Sequence, residues 1–276
     1  MIGVAIFSGS LPATRLAVTG FDPFFLTFAR GTIAGMLSLA LLLAFRQKRP
    51  TAADIASLTV IALGVVVGFP LLTAIALQHV TSAHSIVFIG LLPLATAIFG
   101  VMRGGERPRP VFWVFSALGS LLVAGFAVAQ DLAASPLGDG LMLAAVIACG
   151  LGYAEGARLS RRLGGWQVIC WALTLSLPVM AACMTLVWPH NLAEVTAAAW
   201  GGLLYVSLFS MLIGFVFWYR GLAQGGTASV GQLQLLQPFL GLALAATLLG
   251  ETVTPLMLVA TVGVIGCVAA ARRFAR

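Results

Sequence analysis

Runs of about twenty apolar residues, separated by short polar links, recur along the whole chain. Ten can be marked: 2–19, 23–45, 54–78, 81–102, 111–130, 138–158, 166–188, 198–219, 228–249 and 254–271. A helix of about 20 residues crosses a hydrocarbon core of about 30 Å. The pattern therefore predicts an all-α, polytopic membrane protein with ten transmembrane helices. Links as short as Gly20-Phe21-Asp22 and Glu251-Thr252-Val253 force successive helices to run antiparallel. No stretch is left over for a soluble domain.

Composition agrees with this reading and removes other classes. Of the 276 residues, 61% are hydrophobic and 8% charged, whereas average soluble domains carry about 25% charged residues. The net charge of +7 does not indicate a nucleic-acid partner, because the basic residues sit in short clusters between apolar runs. Arg46, Lys48 and Arg49 follow the second run, and Arg103, Arg107 and Arg109 the fourth. Arg158, Arg161 and Arg162 follow the sixth, Arg220 the eighth, and Arg272, Arg273 and Arg276 end the chain. The opposite links hold Asp22, Asp131, Asp139, Glu194 and Glu251. Because cytoplasmic links are enriched in Lys and Arg, both termini are expected in the cytoplasm. Met1 leads directly into the first run without a basic stretch, so no cleaved signal peptide is expected. Cys149, Cys170, Cys183 and Cys267 all fall inside apolar runs without metal-ligand spacing, which suits small buried side chains. No cofactor is expected. The partners read from the pattern are the lipid bilayer and a small-molecule substrate.

The chain also repeats itself. Leu77–Pro110 aligns without a gap on Leu222–Pro255: Leu77 meets Leu222, Ala83 meets Ala228, Pro93 meets Pro238, Gly105-Glu106 meets Gly250-Glu251, and Pro110 meets Pro255. Such a match marks a duplicated unit, with repeats at 1–132 and 136–276. Each unit holds five runs, an odd number, so equivalent helices point in opposite directions. The halves are then inverted repeats, a design that places a substrate site near mid-membrane between them and works by alternating access.

The helix around Pro93 ending in Gly105-Glu106-Arg107, its mate around Pro238 ending in Leu249-Gly250-Glu251, and Arg30 in Phe28-Ala29-Arg30 resemble the EamA-type unit of the drug/metabolite transporter superfamily. The resemblance covers essentially the whole chain. It implies ten helices, export of small metabolites and a bacterial inner-membrane location. Length and layout are similar to amino-acid exporters, including those for aromatic amino acids.

Polar side chains inside lipid are costly unless they face protein or water, so each is a candidate. Gln234 and Gln237 share a helical face with Gly231 and Gly241. Their amides can donate to a carboxylate and accept from an ammonium, or simply tie helices together. Pro238 frees a carbonyl one turn earlier. Ser207 and Ser210 share a face with Gly214 and Trp218, for packing or for lining a cavity. Phe69 and Phe88 offer an apolar wall, with Thr73 beside Phe69; lipid-facing Phe is the alternative. Ser10 and Tyr153 are repeat mates suited to the cavity. His79, near His84 at an outer helix end, is a solvated His or a proton site. Arg30 either holds a substrate carboxylate or snorkels to Asp22 and carbonyls, the structural role being favoured. Glu155 and Arg158, three apart, read as a local ion pair. Gly64 and Gly68 read as a packing seam. Trp113, Trp166, Trp188, Trp200, Trp218 and Tyr219 read as interface anchors.

An intramembrane enzyme lacks its parts: there is no H-E-x-x-H, no G-x-S-x-G and no pair of carboxylates at helical spacing. The reading is a secondary transporter exporting amino acids, aromatic or bulky apolar ones included, or similar metabolites. Alternatives within the superfamily are a nucleotide-sugar or sugar-phosphate antiporter and a drug efflux transporter. Sugar phosphates would call for several cavity cations, and only Arg30 and Arg15 are at hand.

Overall fold

The computed structural model describes residues 1–80, 85, 88–128, 135–189, 191–237, 239–241 and 255–275. His84, Asp131, Pro238 and the Gly250-Glu251-Thr252 turn thus lie outside the described residues. Those described are helical throughout, joined by short links. In chain order the elements are α1 (Ile2–Ala17), α2 (Pro23–Ala44), α3 (Ala52–Ala76), α4 (Leu92–Gly104), α5 (Pro110–Val128), α6 (Pro136–Leu163), α7 (Gly165–Leu186), α8 (Ala197–Gly225), α9 (227–236) and α10 (Pro255–Arg273). Among the described residues five, namely α2, α3, α6, α7 and α8, are long and apolar enough to cross a membrane.

The ends are built from local chemistry. Asp22 opens α2 by accepting from the Phe24 and Phe25 amides at 2.8 and 3.3 Å, with Pro23 in the first turn where its missing N–H costs nothing. Thr51 and Asp54 open α3 with a reciprocal capping box. Ser135 and Pro136 open α6 in the same manner as Asp22 and Pro23. Gly105, at φ +67, ends α4 in the left-handed conformation that suits glycine. The chain then turns so that Glu106 reaches across to α9, where its two oxygens accept from the amides of Thr227 and Ala228 at 2.6 and 2.7 Å. A carboxylate on those free amides also complements the helix dipole. This is a structural role for the repeated Gly-Glu pair that the alignment marked without explaining.

Helix pairs assemble around α6 and α8. α3 and α4 pack on α6, α1 lies along α8, α2 along α7, and α5 along α10. In lipid these seams rest on close packing and interhelical hydrogen bonds rather than on water exclusion. Small residues make the approach possible. A Cβ on Gly64 of α3 would stand 2.4 Å from the Ala148 carbonyl of α6, and one on Gly202 of α8 would stand 2.5 Å from the Ala13 carbonyl of α1. Gly64 thus lies in a packing seam, as its spacing suggests; a Cβ on Gly68 would meet its own helix at Leu63 and stand 3.5 Å from Ala148 Cβ of α6. Outward faces carry large exposed apolar side chains, such as Leu43 (68%), Met102 (69%), Leu186 (83%) and Val259 (70%), which suit a lipid-facing surface.

Among the described residues four elements depart from regular α-helix, one of them α9, whose Gln232–Leu236 winds as a tighter 3-10 helix. α1 breaks at Gly9 into Ile2–Ser8 and Ser10–Ala17, where Pro12 cannot donate to the Ser8 carbonyl. Wider π turns occupy Ala62–Gly68 in α3 and Val206–Ile213 in α8. The first precedes Pro70, which removes a ladder hydrogen bond. Within the second, Ser207 Oγ donates to the Leu203 carbonyl at 2.6 Å, competing with the backbone. The run expected at 198–219 continues to Gly225. Trp218 and Tyr219 are therefore core residues, 3% and 0% exposed, and not interface anchors. Tyr219 fits because α6 has glycine at 156, where a Cβ would stand 2.2 Å from its ring. Its hydroxyl donates to the Gly152 carbonyl. Trp188 and Trp200 do remain exposed, at 51% and 42%.

Candidate functional site

A cavity lies among α1, α2, α3, α4, α6, α8 and α9, enclosing about 650 Å³ of empty space counted to its open mouth. The departures from regular helix border it. The π turn of α3 contributes Val65, with Phe69, Pro70 and Thr73 following, and the π turn of α8 contributes Ser210 and Met211. π turns are frequent at functional sites because they re-aim side chains out of the helical register.

The apolar walls are Phe7, Val65, Phe69, Ile89, Leu92, Met211 and Phe215. Polar groups converge between them. Ser10 Oγ of α1 donates to Ser210 Oγ at 2.8 Å, and the same oxygen accepts from Arg30 Nη2 at 3.3 Å. Gln234 Nε2 donates to the Tyr153 hydroxyl at 3.4 Å, and Gln237 Nε2 to the Phe7 carbonyl at 3.1 Å. Several cavity groups have no protein partner among the described residues: Arg30 Nε, Thr73 Oγ1 and Gln234 Oε1.

Of the candidates read from sequence, Ser10, Arg30, Phe69, Thr73, Tyr153, Ser210, Gln234 and Gln237 line this one cavity. Ser207 is buried and turned onto its own helix. Phe88 packs, as Phe69 does, against the cluster of Ala76, Val80, Ile89 and Met142, and is not among the residues that line the cavity. His79 is exposed at the end of α3, next to Gly138 at the start of α6. The snorkelling alternative for Arg30 fails, because Asp22 is committed to the α2 amides while Arg30 is 8% exposed and bonded to α8. Thr14 also lines the cavity, and its place one turn beyond Ser10 could have revealed it. Phe7 and Phe215 gave no signal among seventeen phenylalanines.

Away from the cavity, the arginine-rich end is tied by polar contacts. Glu155 of α6, fully buried, pairs with Arg103 of α4 at 3.1 Å and with Arg158 on its own helix. Arg158 also donates to Ser57 of α3 at 3.1 Å, and Arg162 pairs with Asp54 of α3. The local Glu155–Arg158 pair expected from spacing is thus one part of a network spanning α3, α4 and α6. No group of three or more His, Cys, Asp or Glu among the described residues is placed to hold a metal. The four cysteines are free.

Residues 1–127 and 136–272 each match the EamA-like transporter family. An uncharacterized transporter of Bacillus subtilis (strain 168), YdeK, is 68% identical over 275 residues, which span 100% of this chain and 96% of that protein. A protein of Streptantibioticus cattleyicolor described as a probable terminal-alkyne amino-acid exporter is 26% identical, over 99% of this chain and 92% of its own. A solved protein structure superposes with a TM-score of 0.81 at 20% identity, covering 100% of this chain and 95% of the other, which establishes a shared fold. The chain therefore belongs to the EamA-like transporter family, as a multi-pass membrane transporter and not an enzyme.

Proposed function

We propose that this transporter exports amino acids, bulky apolar ones included, or closely similar metabolites by alternating access. It would do so across a bacterial inner membrane with both termini in the cytoplasm. In this reading ten helices form two inverted five-helix repeats, 1–132 and 136–276, with the cavity between them. The observation that carries the cargo reading is the cavity lining, which among the described residues has apolar walls, neutral hydrogen-bonding groups, one cation and no carboxylate. A nucleotide sugar or sugar phosphate carries two or more negative charges and would meet a single counter-charge. An organic cation would meet no acid among the described lining residues. The Streptantibioticus relative, by its name an amino-acid exporter, supports the same direction.

Two features support the inverted repeat. Exchanging the halves turns the α1–α8 contact into α6–α3, and it leaves the α2–α7 and α5–α10 contacts in place. Shifting the π turn Ala62–Gly68 by the 145-residue offset of the sequence repeat gives 207–213, inside the observed Val206–Ile213. The ties of Arg103 to Glu155, Arg162 to Asp54 and Glu106 to the start of α9 each join one half to the other at the arginine-rich end. They close the cytoplasmic side in this conformation, and cargo entry from the cytoplasm requires that they part.

The test is a labelled panel in proteoliposomes containing the purified protein. Leucine and phenylalanine are expected to move faster than in empty liposomes, with sugar phosphates and cationic drugs at background. Movement of sugar phosphates without amino acids would overturn the cargo reading.

A further inference from the structure

We infer that Arg30 is the carboxylate anchor of the cavity, so that a single carboxylate on the cargo is what this site selects. The inference rests on the transport reading above and names the chemistry its cavity recognises. Arg30 lies about two turns into α2, where α2 meets the π turn of α8. Its guanidinium stays charged, because arginine does not deprotonate in proteins. Among the described residues it pairs with no carboxylate; its protein partner is the neutral Ser210 hydroxyl, and Nε has none. A lone charge removed from water is costly. A ligand carboxylate offsets that cost, and the planar guanidinium fork matches its two oxygens.

The rest of the lining fits the other end of an amino acid. Gln237 donates to the Phe7 carbonyl, which can only accept, so its own oxygen is left as an acceptor. Thr73 Oγ1 and Gln234 Oε1 have no protein partner. Neutral oxygens can receive an ammonium, but they supply no counter-charge. An amine without its own carboxylate therefore leaves two positive groups in one small cavity, with Arg30 still unpaired. The carboxylate is the required group and the amine an accessory one. Phe7, Phe69 and Phe215 are left for an apolar side chain.

The experiment measures binding to the purified full chain in detergent by calorimetry. The ligands are L-phenylalanine, 3-phenylpropionate (carboxylate alone) and phenethylamine (amine alone). Wild-type protein is expected to bind both acids, and to bind phenethylamine at least about ten-fold more weakly, in line with one lost charge-assisted hydrogen bond. Arg30→Gln is expected to weaken both acids by at least about ten-fold. Size exclusion and melting check that the variant is folded. Should Arg30→Gln fail to fold, the wild-type comparison of acid with amine decides alone. Equal binding of phenethylamine and the acids, unchanged acid binding in a folded Arg30→Gln, or no binding of either acid overturns the anchor. Binding of 3-phenylpropionate without L-phenylalanine keeps the anchor and removes the amino-acid reading. Amino-acid transport that persists in Arg30→Gln does the reverse.

Discussion

The double variant Arg103→Ala, Arg158→Ala is expected to lose folded protein, at a cost of about 3–5 kcal/mol if the two arginines act as one counter-charge. Glu155 is fully buried on α6, and these are its ion-pair partners among the described residues. Removing both leaves a carboxylate out of water with no counter-charge. The reciprocal change, Glu155→Gln, is expected to cost less. Arg103 and Arg158 have side chains 46% and 47% exposed, so water can serve them when the carboxylate is gone. Melting of detergent-purified variants, followed by loss of the monodisperse size-exclusion peak, checks the order. If Glu155→Gln proved more damaging than the double arginine variant, the cost would lie in the two arginines left without their carboxylate, and not in the burial of Glu155.

Gly64→Ala is expected to destabilise the protein by about 1–3 kcal/mol, the usual cost of overpacking a close seam. The new methyl would stand 2.4 Å from the Ala148 carbonyl and 3.4 Å from Gly152 Cα. Both are backbone atoms, so no side chain can swing aside and α3 must move off α6. Because Val65, one residue on, lines the cavity, that displacement should also lower transport. Gly201→Ala on α8 is the matched control, since a Cβ there meets nothing within 4 Å. The same melting assay separates them: a clear fall in melting temperature for Gly64→Ala and no fall for Gly201→Ala. Equal behaviour of the two would show that the α3–α6 seam is looser than its geometry implies.

The all-helical, multi-pass character of the chain was legible because lipid imposes long apolar runs. What periodicity could not reveal was where regular helix fails. The breaks in α1, α3 and α8 depend on Pro12, on Pro70 and on the Ser207 hydroxyl, each within an unbroken apolar run. Trp218 and Tyr219 looked like boundary aromatics because they adjoin Arg220. They are interior because Gly156, on another helix, leaves room for the Tyr219 ring. The Gly105-Glu106 pair stood out as a repeat, yet its task was hidden, since the amides it caps lie 121 and 122 residues away. Arg30 was recognisable as a buried cation. That its neighbour is Ser210, and not Asp22, follows only from the way α2 meets α8.

In the proposed transporter, two five-helix halves lie in opposite senses across the membrane around a shared cavity. Lys48 and Ala193 occupy equivalent links of the two halves, 145 residues apart. The direct test labels Lys48→Cys and Ala193→Cys, each in a background lacking Cys149, Cys170, Cys183 and Cys267, with a membrane-impermeant maleimide. Ala193→Cys is expected to react in intact cells and Lys48→Cys only after permeabilisation. Reaction of both from the same side would contradict that arrangement.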